Sequence, residues 1–514
     1  MDLQPGKFGG WIVLTALVSA SAAADGNDTA AEQPKQLALL QGHSNAVRCL
    51  ALSPDGKTLV SGSDDLTVRV WRVSGGNLRA TLRGHQARIE FVAITPDGST
   101  IVSADRDGII KVWDAAASRQ RNQLTEQGEN LASMILGDDG RTLFLAWSDN
   151  RLQRWELGAL RPAATLSYET NRCWSMAISS DGSLFAWGDR EEDKRLRLWD
   201  FASGKELSPP GDGRDIAPQC FSQDGKSLVV IIHSQDKIEM REVATGKTRC
   251  VLRDVEEGQL MALALHPGGR MLSAASIAGK GEVRFWDLAA AKPAGAAHGG
   301  SQGIEAIAFS ADGSALAAVE GPDTAIRVWD VSHFWKSSRV AAAQLSQPQL
   351  ESLWTDLADD DAAKAFRAMW RLAAANQDEL SWFARRLRPA AVADPKLTGP
   401  LIAALEDDDF EVREKAARDL LDFGDLAAPD LRDALAAGPS PETRQRAGAI
   451  LERLASGHDL APQRLRELRA VEALENAGTP EARQLLARLA GGIAEARLTR
   501  EAKASLARLA RRNR

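Results

Sequence analysis

The feature that most constrains the fold is a turn glycine that recurs seven times at nearly constant spacing. The intervals between successive copies are 42, 42, 42, 43, 44 and 44 residues, and the glycines are Gly56, Gly98, Gly140, Gly182, Gly225, Gly269 and Gly313. An apolar residue stands nine positions before each glycine, as at Val47 and Ile89. So steady a period predicts repeated copies of one structural unit, each of which packs on its neighbours.

The unit is clearest between residues 84 and 114. It contains three short apolar segments, residues 89–95, 100–104 and 109–113, and turn residues separate them. Segments of this length that alternate with Pro-Asp-Gly or Asp/Gly turns are typical of antiparallel strands. Small residues such as Ala51 and Ala93 stand five positions before the glycine, where they would let neighbouring sheets approach.

Two dipeptides, Gly84-His85 and Trp113-Asp114, mark this unit as one that resembles the WD40 repeat. The resemblance implies a seven-bladed, all-β propeller over residues 35–335. Residues 36–40 resemble the outer strand of a repeat, and the last repeat has no such strand after it. We therefore expect residues 36–40 to pair with the last repeat and close the ring, which would leave no open sheet edge between first and last blades.

In the WD40 family, a His, a Ser or Thr, an Asp and a Trp of one repeat form a hydrogen-bonded tetrad. The resemblance implies two complete tetrads here: His43, Ser61, Asp65 and Trp71, and His85, Ser103, Asp107 and Trp113. The same residue types make hydrolytic triads. We interpret them as structural, because the sequence signals neither an exposed pocket nor an oxyanion donor beside them.

The register also predicts which residues lie on the rim that carries the Gly-His loops, where partners of this family usually bind. The candidate protein-binding residues are Asp64, Arg88, Arg106, Asn130, Arg172 and Asp215. Charged and Arg-rich rims suit a polypeptide partner. A solvated rim without a partner is the alternative.

The chain ends differ in composition from the repeats. Residues 1–24 carry Lys7, an apolar run and a final Ala-Ala-Ala, which predicts a signal peptide and an exported, periplasmic or cell-envelope protein. Residues 25–34 and 336–348 are predicted linkers. In residues 349–514, apolar positions three, four and seven apart predict an all-α domain. Its segment Val412, Arg413, Ala416 and Leu420 resembles a HEAT-like repeat, which implies a helical protein-binding face.

The remaining observations restrict the function. The net charge of −7 does not favour nucleic acid. No metal-ligand spacing or phosphate-binding loop occurs in the sequence, so we expect no catalytic residue, metal or cofactor. The basic residues between 499 and 514 suit a solvated helix end, which does not favour a membrane surface as a partner; contact with an anionic surface is the alternative. The sequence does not indicate which oligomeric state the protein adopts.

The whole chain is similar to bacterial proteins that pair an exported WD40 propeller with a helical tail. The resemblance implies a non-enzymatic protein–protein interaction scaffold in the bacterial cell envelope, whose partners are proteins. The alternative is a ligand-sensing or hydrolytic propeller that uses a central pocket. Titratable residues converging on the axis would favour that alternative, but the strands nearest the axis are mostly apolar or small.

Overall fold

The structure is a computed structural model of the 514-residue chain. The residues that the structure describes are 33–125, 131–137, 139–149, 151–159, 161–167, 173–189, 196–201, 203–207, 216–232, 235, 237–253, 260–276, 281–300, 303–321, 324–337, 344–391, 394–456, 461–494 and 496–512. The predicted signal peptide, residues 1–24, lies outside them.

Seven four-stranded antiparallel sheets follow one another along the chain and form the blades of a propeller. The strands of blades one to three are β2 (Val47–Leu52), β3 (Thr58–Ser63), β4 (Val68–Arg72), β5 (Asn77–Leu82), β6 (Ile89–Ile94), β7 (Thr100–Asp105), β8 (Ile109–Asp114), β9 (Arg119–Thr125), β10 (Leu131–Leu136), β11 (Thr142–Trp147), β12 (Arg151–Glu156) and β13 (Arg161–Ser167). Blade four contains β14 (Cys173–Ile178), β15 (Leu184–Asp189), β16 (Leu196–Asp200) and β17 (Lys205–Leu207).

Blades five to seven contain β18 (Ile216–Phe221), β19 (Ser227–Ile232), β20 (Lys237–Glu242), β21 (Thr248–Leu252), β22 (Leu260–Leu265), β23 (Met271–Ser276), β24 (Glu282–Asp287), β25 (Lys292–His298), β26 (Ile304–Phe309), β27 (Ala315–Glu320) and β28 (Ala325–Asp330). The expected propeller is therefore confirmed.

The recurring glycine has a conformational reason. All seven copies adopt φ between 63° and 72°, the left-handed region that a residue with a Cβ adopts only at a steric cost. Each glycine lies in the tight turn between the first and second strands of its blade, as Gly56 does when its N–H donates to the carbonyl of Ser53 over 2.9 Å. The turns define one face of the ring, which we call the turn face. The Gly-His loops lie on the opposite face, the rim.

The ring is closed because the first strand of the propeller completes the last blade. The first strand, β1 (Lys35–Leu40), pairs antiparallel with β28, the third strand of blade seven, so the sheet order there is β1-β28-β27-β26. Leu40 is fully buried in this sheet. The expected closure by residues 36–40 is thus observed, and it gives blade seven the outer strand that its own repeat lacks.

Helices follow the propeller. They are α1 (Ser332–Ser337), α2 (Gln347–Asp356), α3 (Ala362–Ala373), α4 (Gln377–Arg386), α5 (Pro395–Ala403), α6 (Phe410–Phe423), α7 (Ala428–Ala436), α8 (Pro441–Ser456), α9 (Pro462–Ala477), α10 (Pro480–Leu489) and α11 (Arg497–Arg512). No described helix combines the length and the apolar character needed to cross a lipid bilayer.

The helical tail packs onto the propeller at blades five and six. One apolar core continues from Met240 and Trp286 of the ring to Phe366, Met369 and Val471 of α3 and α9. Because the cores of the two parts merge, the tail is docked on the ring. The contacts fall on the turn face, which is opposite the rim, and on the outer strand β21.

A buried ionic cluster ties this joint together. Arg249 of β21 makes a bidentate contact with Glu472 of α9, with N–O distances of 2.7 and 2.9 Å, and Arg469 of α9 makes one with Glu242 of β20, at 2.9 and 2.7 Å. Arg249 also bonds Glu242 over 2.8 Å, which joins the two pairs. All four side chains are at most 6% exposed. Burial alone would raise the pKa of the Glu242 carboxyl, but the two guanidiniums outweigh it and lower the pKa to about 2.

A second ionic cluster lies beside the first. Glu475 of α9 accepts from Arg508 of α11 over 2.7 Å and from Lys226, next to the turn glycine of blade five, over 3.4 Å. Burial would raise the pKa of Glu475, but Lys226 and Arg508 lower it to about 2. Each buried charge at the joint therefore has an opposite charge in contact, which is the condition under which ionic groups are tolerated in an interior.

Candidate functional site: a charged arc on the rim

The loops of the rim are held by hydrogen-bonded networks beneath them. In blade one, the indole Nε1 of Trp71 donates to Ser61 Oγ over 2.8 Å, and His43 lies 2.7 Å from that hydroxyl and 2.8 Å from Asp65. The Asp65 carboxylate can only accept, so the proton of the neutral histidine sits on Nδ1 facing Asp65. Nε2 is then an acceptor, and the Ser61 hydroxyl donates to it. Burial lowers the pKa of His43, which keeps its ring neutral at pH 7. The structure thus brings together the four residues expected for this tetrad.

Blade two has the same network with a different acid. His85 bonds Ser103 and Asp105, both over 2.7 Å, and Trp113 donates to Ser103 over 2.8 Å. The expected acid was Asp107, which is exposed and whose backbone N–H donates to Asp105 over 3.2 Å. The expectation for Asp107 is therefore wrong. Asp105 is the last residue of β7, and its carboxylate reaches His85 from within the sheet. The equivalent position in blade one is Ser63.

Neither network is arranged for nucleophilic chemistry. The hydroxyl-bearing residues Ser61 and Ser103 are 0% exposed, and each hydroxyl is already shared between an indole and an imidazole. A nucleophile needs a path to its substrate and a free lone pair. The geometry therefore suits the structural interpretation, in which the networks position the rim loops above them.

Above these networks, side chains of blades seven, one and two form a charged arc, defined here as Arg48, Asp64, Arg88, Glu90, Arg106 and Glu305. Arg48 follows the first residue of β2 and makes a bidentate contact with Asp64, with N–O distances of 3.0 and 2.7 Å. It also lies 3.6 Å from Glu305 of blade seven. Hydrogen bonding to Asp64 raises the pKa of the Arg48 guanidinium. One guanidinium therefore bridges two blades at the rim.

Blade two supplies the other half of the arc. The backbone N–H of Arg106 donates to the carbonyl of Arg88 over 2.9 Å, so the two arginines lie side by side. They are not equivalent. Arg88 Nε pairs with Glu90 over 2.6 Å, whereas Arg106 has no ion-pair partner among the residues that the structure describes. Glu90 therefore pairs with Arg88 and leaves Arg106 as the available cation.

The other expected rim residues, Asn130, Arg172 and Asp215, lie outside the described residues. Sequence reasoning missed Arg48, Glu90 and Glu305. These three occupy one register position, directly after the apolar column at Val47, Ile89 and Ile304. That shared position was a usable signal, since strand alternation turns it away from the buried side of the first strand.

Comparison with known proteins supports the repeats. Three segments match the model described as WD domain, G-beta repeat, at residues 34–72, 76–114 and 293–330. The ribosome biogenesis protein bop1-A of Xenopus laevis is 54% identical over 41 residues, which are 8% of this chain and 6% of that protein. Human ribosome biogenesis protein BOP1 is 54% identical over 39 residues, 8% and 5% of the two chains. The nuclear distribution protein PAC1 of Candida tropicalis is 49% identical over 39 residues, 8% of each chain.

The chain thus spans less than a tenth of the length of these relatives. They are eukaryotic, and they lend no support to the resemblance to bacterial envelope proteins. Their names refer to ribosome biogenesis and nuclear distribution, which are not processes of a cell envelope. The expectation of an exported, periplasmic or cell-envelope protein is therefore wrong. The apolar run and small residues that suggested it form a short pattern of low specificity.

Proposed function

We propose that this protein is a non-catalytic scaffold that holds a polypeptide partner on its rim through the charged arc. The observation that carries the proposal is Arg106, a guanidinium without an ion-pair partner among the described residues, beside the paired Arg88 and Glu90. An arginine can grip a carboxylate through two parallel hydrogen bonds. The expected ligand is therefore an acidic side chain or a chain terminus of another protein.

The surroundings of Arg106 support this role. Its backbone is fixed by the hydrogen bond to Arg88, and the tetrad of His85 and Asp105 holds the same loop from below. A cation on a fixed backbone loses less freedom on binding than one on a mobile loop. The neighbouring pairs, Arg48 with Asp64 and Arg88 with Glu90, can exchange internal contacts for contacts with a partner and so contribute to specificity.

The docked tail supports the choice of the rim over the opposite face. Helices α3 and α9 cover part of the turn face at blades five and six, and they fix the tail to the ring through Arg249 and Glu472. A partner that approaches the rim meets none of these contacts. A ring with its rim on one side and a docked helical tail on the other is suited to hold two partners.

The relatives suggest which assembly to examine first. Since two of them are named ribosome biogenesis proteins, we include pre-ribosomal particles among the partners to be tested. Bound RNA is measured separately from bound protein. The similarity covers one repeat, so it supports the choice of this test and carries no residue roles.

The experiment compares partners captured by the wild type with those captured by an Arg88→Ala/Arg106→Ala variant, and then measures the affinity of the main partner. We expect the variant to retain its circular dichroism and melting behaviour but to lose about 2 kcal/mol of binding free energy, roughly 30-fold in Kd. Arg79→Ala, at an exposed arginine of the outer strand β5, is the matched control and should change nothing. Full affinity of the double variant for every recovered partner would show that the arc does not bind them.

A further inference from the structure

The first turn of helix α6 exposes two large apolar side chains. Phe410 is 58% exposed and Val412 is 38% exposed, whereas Ala416 and Leu420 further along the helix are buried in the core of α5 to α8. The sequence predicts one apolar stripe that includes Val412, but the structure buries only its later members. The helix therefore begins with an apolar surface that stays largely exposed among the described residues.

The ring of Phe410 is held in this exposed position. The guanidinium of Arg413 lies 5.8 Å from the ring centre, and its Nη1 donates to the carbonyls of Asp407 and Asp408 over 2.6 and 3.0 Å. The aromatic side chain thus rests on an arginine that is itself fixed to the preceding loop. Binding to a ring that is already positioned costs little conformational entropy.

The segment that carries this surface bears charges of one sign, with Arg413 directly after it. We call residues 407–412 the α6 tip; they are Asp407, Asp408, Asp409, Phe410, Glu411 and Val412, and their net charge is −4, from four acids and no base. All six are exposed. Asp409 caps the helix by accepting from the N–H of Glu411, while the carboxylates of Asp408 and Glu411 have no hydrogen-bond or ion-pair partner in the described part of the chain.

The α6 tip lies at the opposite end of α6 from the contacts of this helix with α9. At the other end of α6, the carbonyl of Phe423 accepts from Arg464 of α9, and the next residues contact the remainder of the tail. A helix of 14 residues is about 20 Å long, so the tip is separated from that junction by the length of the helix. A partner can reach the tip without displacing the tail from the ring.

We propose that the α6 tip docks a basic amphipathic segment of another protein, one that presents Lys or Arg together with a large apolar side chain. The apolar side chain packs on Phe410 and Val412, and its basic neighbours meet Asp408 and Glu411. Charge complementarity selects this occupant, because an acidic or purely apolar segment gains nothing from the four carboxylates. The tip is separate from the charged arc, which is proposed to bind an acidic ligand.

The test uses the full chain and a fluorescein-labelled helical peptide of Lys and Leu in heptad spacing, with binding followed by fluorescence anisotropy. We expect Phe410→Ser/Val412→Ser to weaken binding at least about tenfold. Asp408→Lys/Glu411→Lys should weaken it by a similar factor through charge alone, and it leaves the apolar residues in place. Leu78→Ser, at a 45% exposed leucine of β5, is the control and should bind like the wild type.

Specificity is tested with a second peptide in which Ser replaces every Leu. It should bind the wild type at least about tenfold more weakly, because it offers charge without an apolar contact. Equal affinity for the two peptides, or wild-type affinity in both tip variants, would overturn the proposal. Sedimentation that shows self-association of the wild type, lost in both tip variants, would also overturn it, since the occupant would then be a second copy of this chain.

Discussion

The joint between ring and tail allows a stability change to be worked out from the structure. Glu242 accepts from Arg249 Nη2 over 2.8 Å, from Arg469 over 2.9 and 2.7 Å, and from Thr245 over 2.6 Å. In Glu242→Gln the volume is kept, but two buried guanidiniums are left with one carboxylate, that of Glu472. Removal of one member of a buried ionic set costs about 3–5 kcal/mol, because the remaining charge is uncompensated.

The pKa of Glu242 gives an independent magnitude. It lies at about 2 instead of the ordinary 4.5, which corresponds to roughly 3 kcal/mol of preferential stabilisation of the charged form at neutral pH. The two magnitudes agree, so we expect Glu242→Gln to lower the free energy of unfolding by about 3 kcal/mol or more.

Urea denaturation followed by tryptophan fluorescence measures this loss, and hydrogen exchange locates it. The amides of α9 should lose protection first, since α9 carries Arg469 and Glu472. Glu206→Gln is the matched control, because Glu206 pairs with Arg197 while both side chains are 34% exposed; it should cost less than about 1 kcal/mol. If the two variants lose the same stability, or if α9 keeps its protection in Glu242→Gln, the joint is not held by this network.

Two further predictions follow from the pKa values and the tetrads. Glu242 and Glu475 have folded pKa values near 2, below their ordinary value, so their contribution to the free energy of unfolding is present above about pH 4.5 and is lost as the pH falls towards 2. Urea titrations across this range should therefore show falling stability. Glu472 acts in the opposite sense, because burial raises its pKa. Asp105→Asn should lower the free energy of unfolding by about 1–3 kcal/mol, because both carboxylate oxygens of Asp105 accept and Asn keeps only one acceptor: either the bond to His85 or the bonds from the N–H groups of Asp107 and Ile109 are lost. Asp107→Asn should stay within about 0.5 kcal/mol. Equal losses in thermal denaturation would contradict the corrected tetrad.

Much of the ring could be predicted because its signals are local and repeated. A turn that requires positive φ selects glycine, as at Gly56 and Gly313, and the packing of neighbouring blades selects the apolar column, as at Val47. Because the pattern occurs seven times, it can be recognised even where one repeat departs from it, as where Met240 replaces the Trp of the third strand. Closure by residues 36–40 followed from counting strands, since a missing outer strand at one end matches a spare strand at the other.

The candidate site was predictable in position but not in pairing. The register places Arg88 and Arg106 on the rim, yet only the structure shows that they are neighbours and that Glu90 pairs with Arg88 and leaves Arg106 unpaired among the described residues. The sequence predicts Asp107 as the acid of the second tetrad, two positions after the observed Asp105, for a related reason. Whether Asp105 or Asp107 reaches His85 depends on where strand β7 ends, and the boundaries of an element are set by tertiary contacts as well as by local sequence.

The repeated ring, its closure and the change to helices can be predicted from the sequence alone, because each depends on residues that are neighbours along the chain or recur at a fixed period. The docking of the tail was decided only by the tertiary structure. Glu242 and Arg469 are 227 residues apart, and nothing in either local sequence marks them as a pair. Charged residues at the end of a strand and on a helix usually face water. They are buried here because the surfaces of two domains meet, and that meeting depends on shape and charge assembled from many distant parts of the chain.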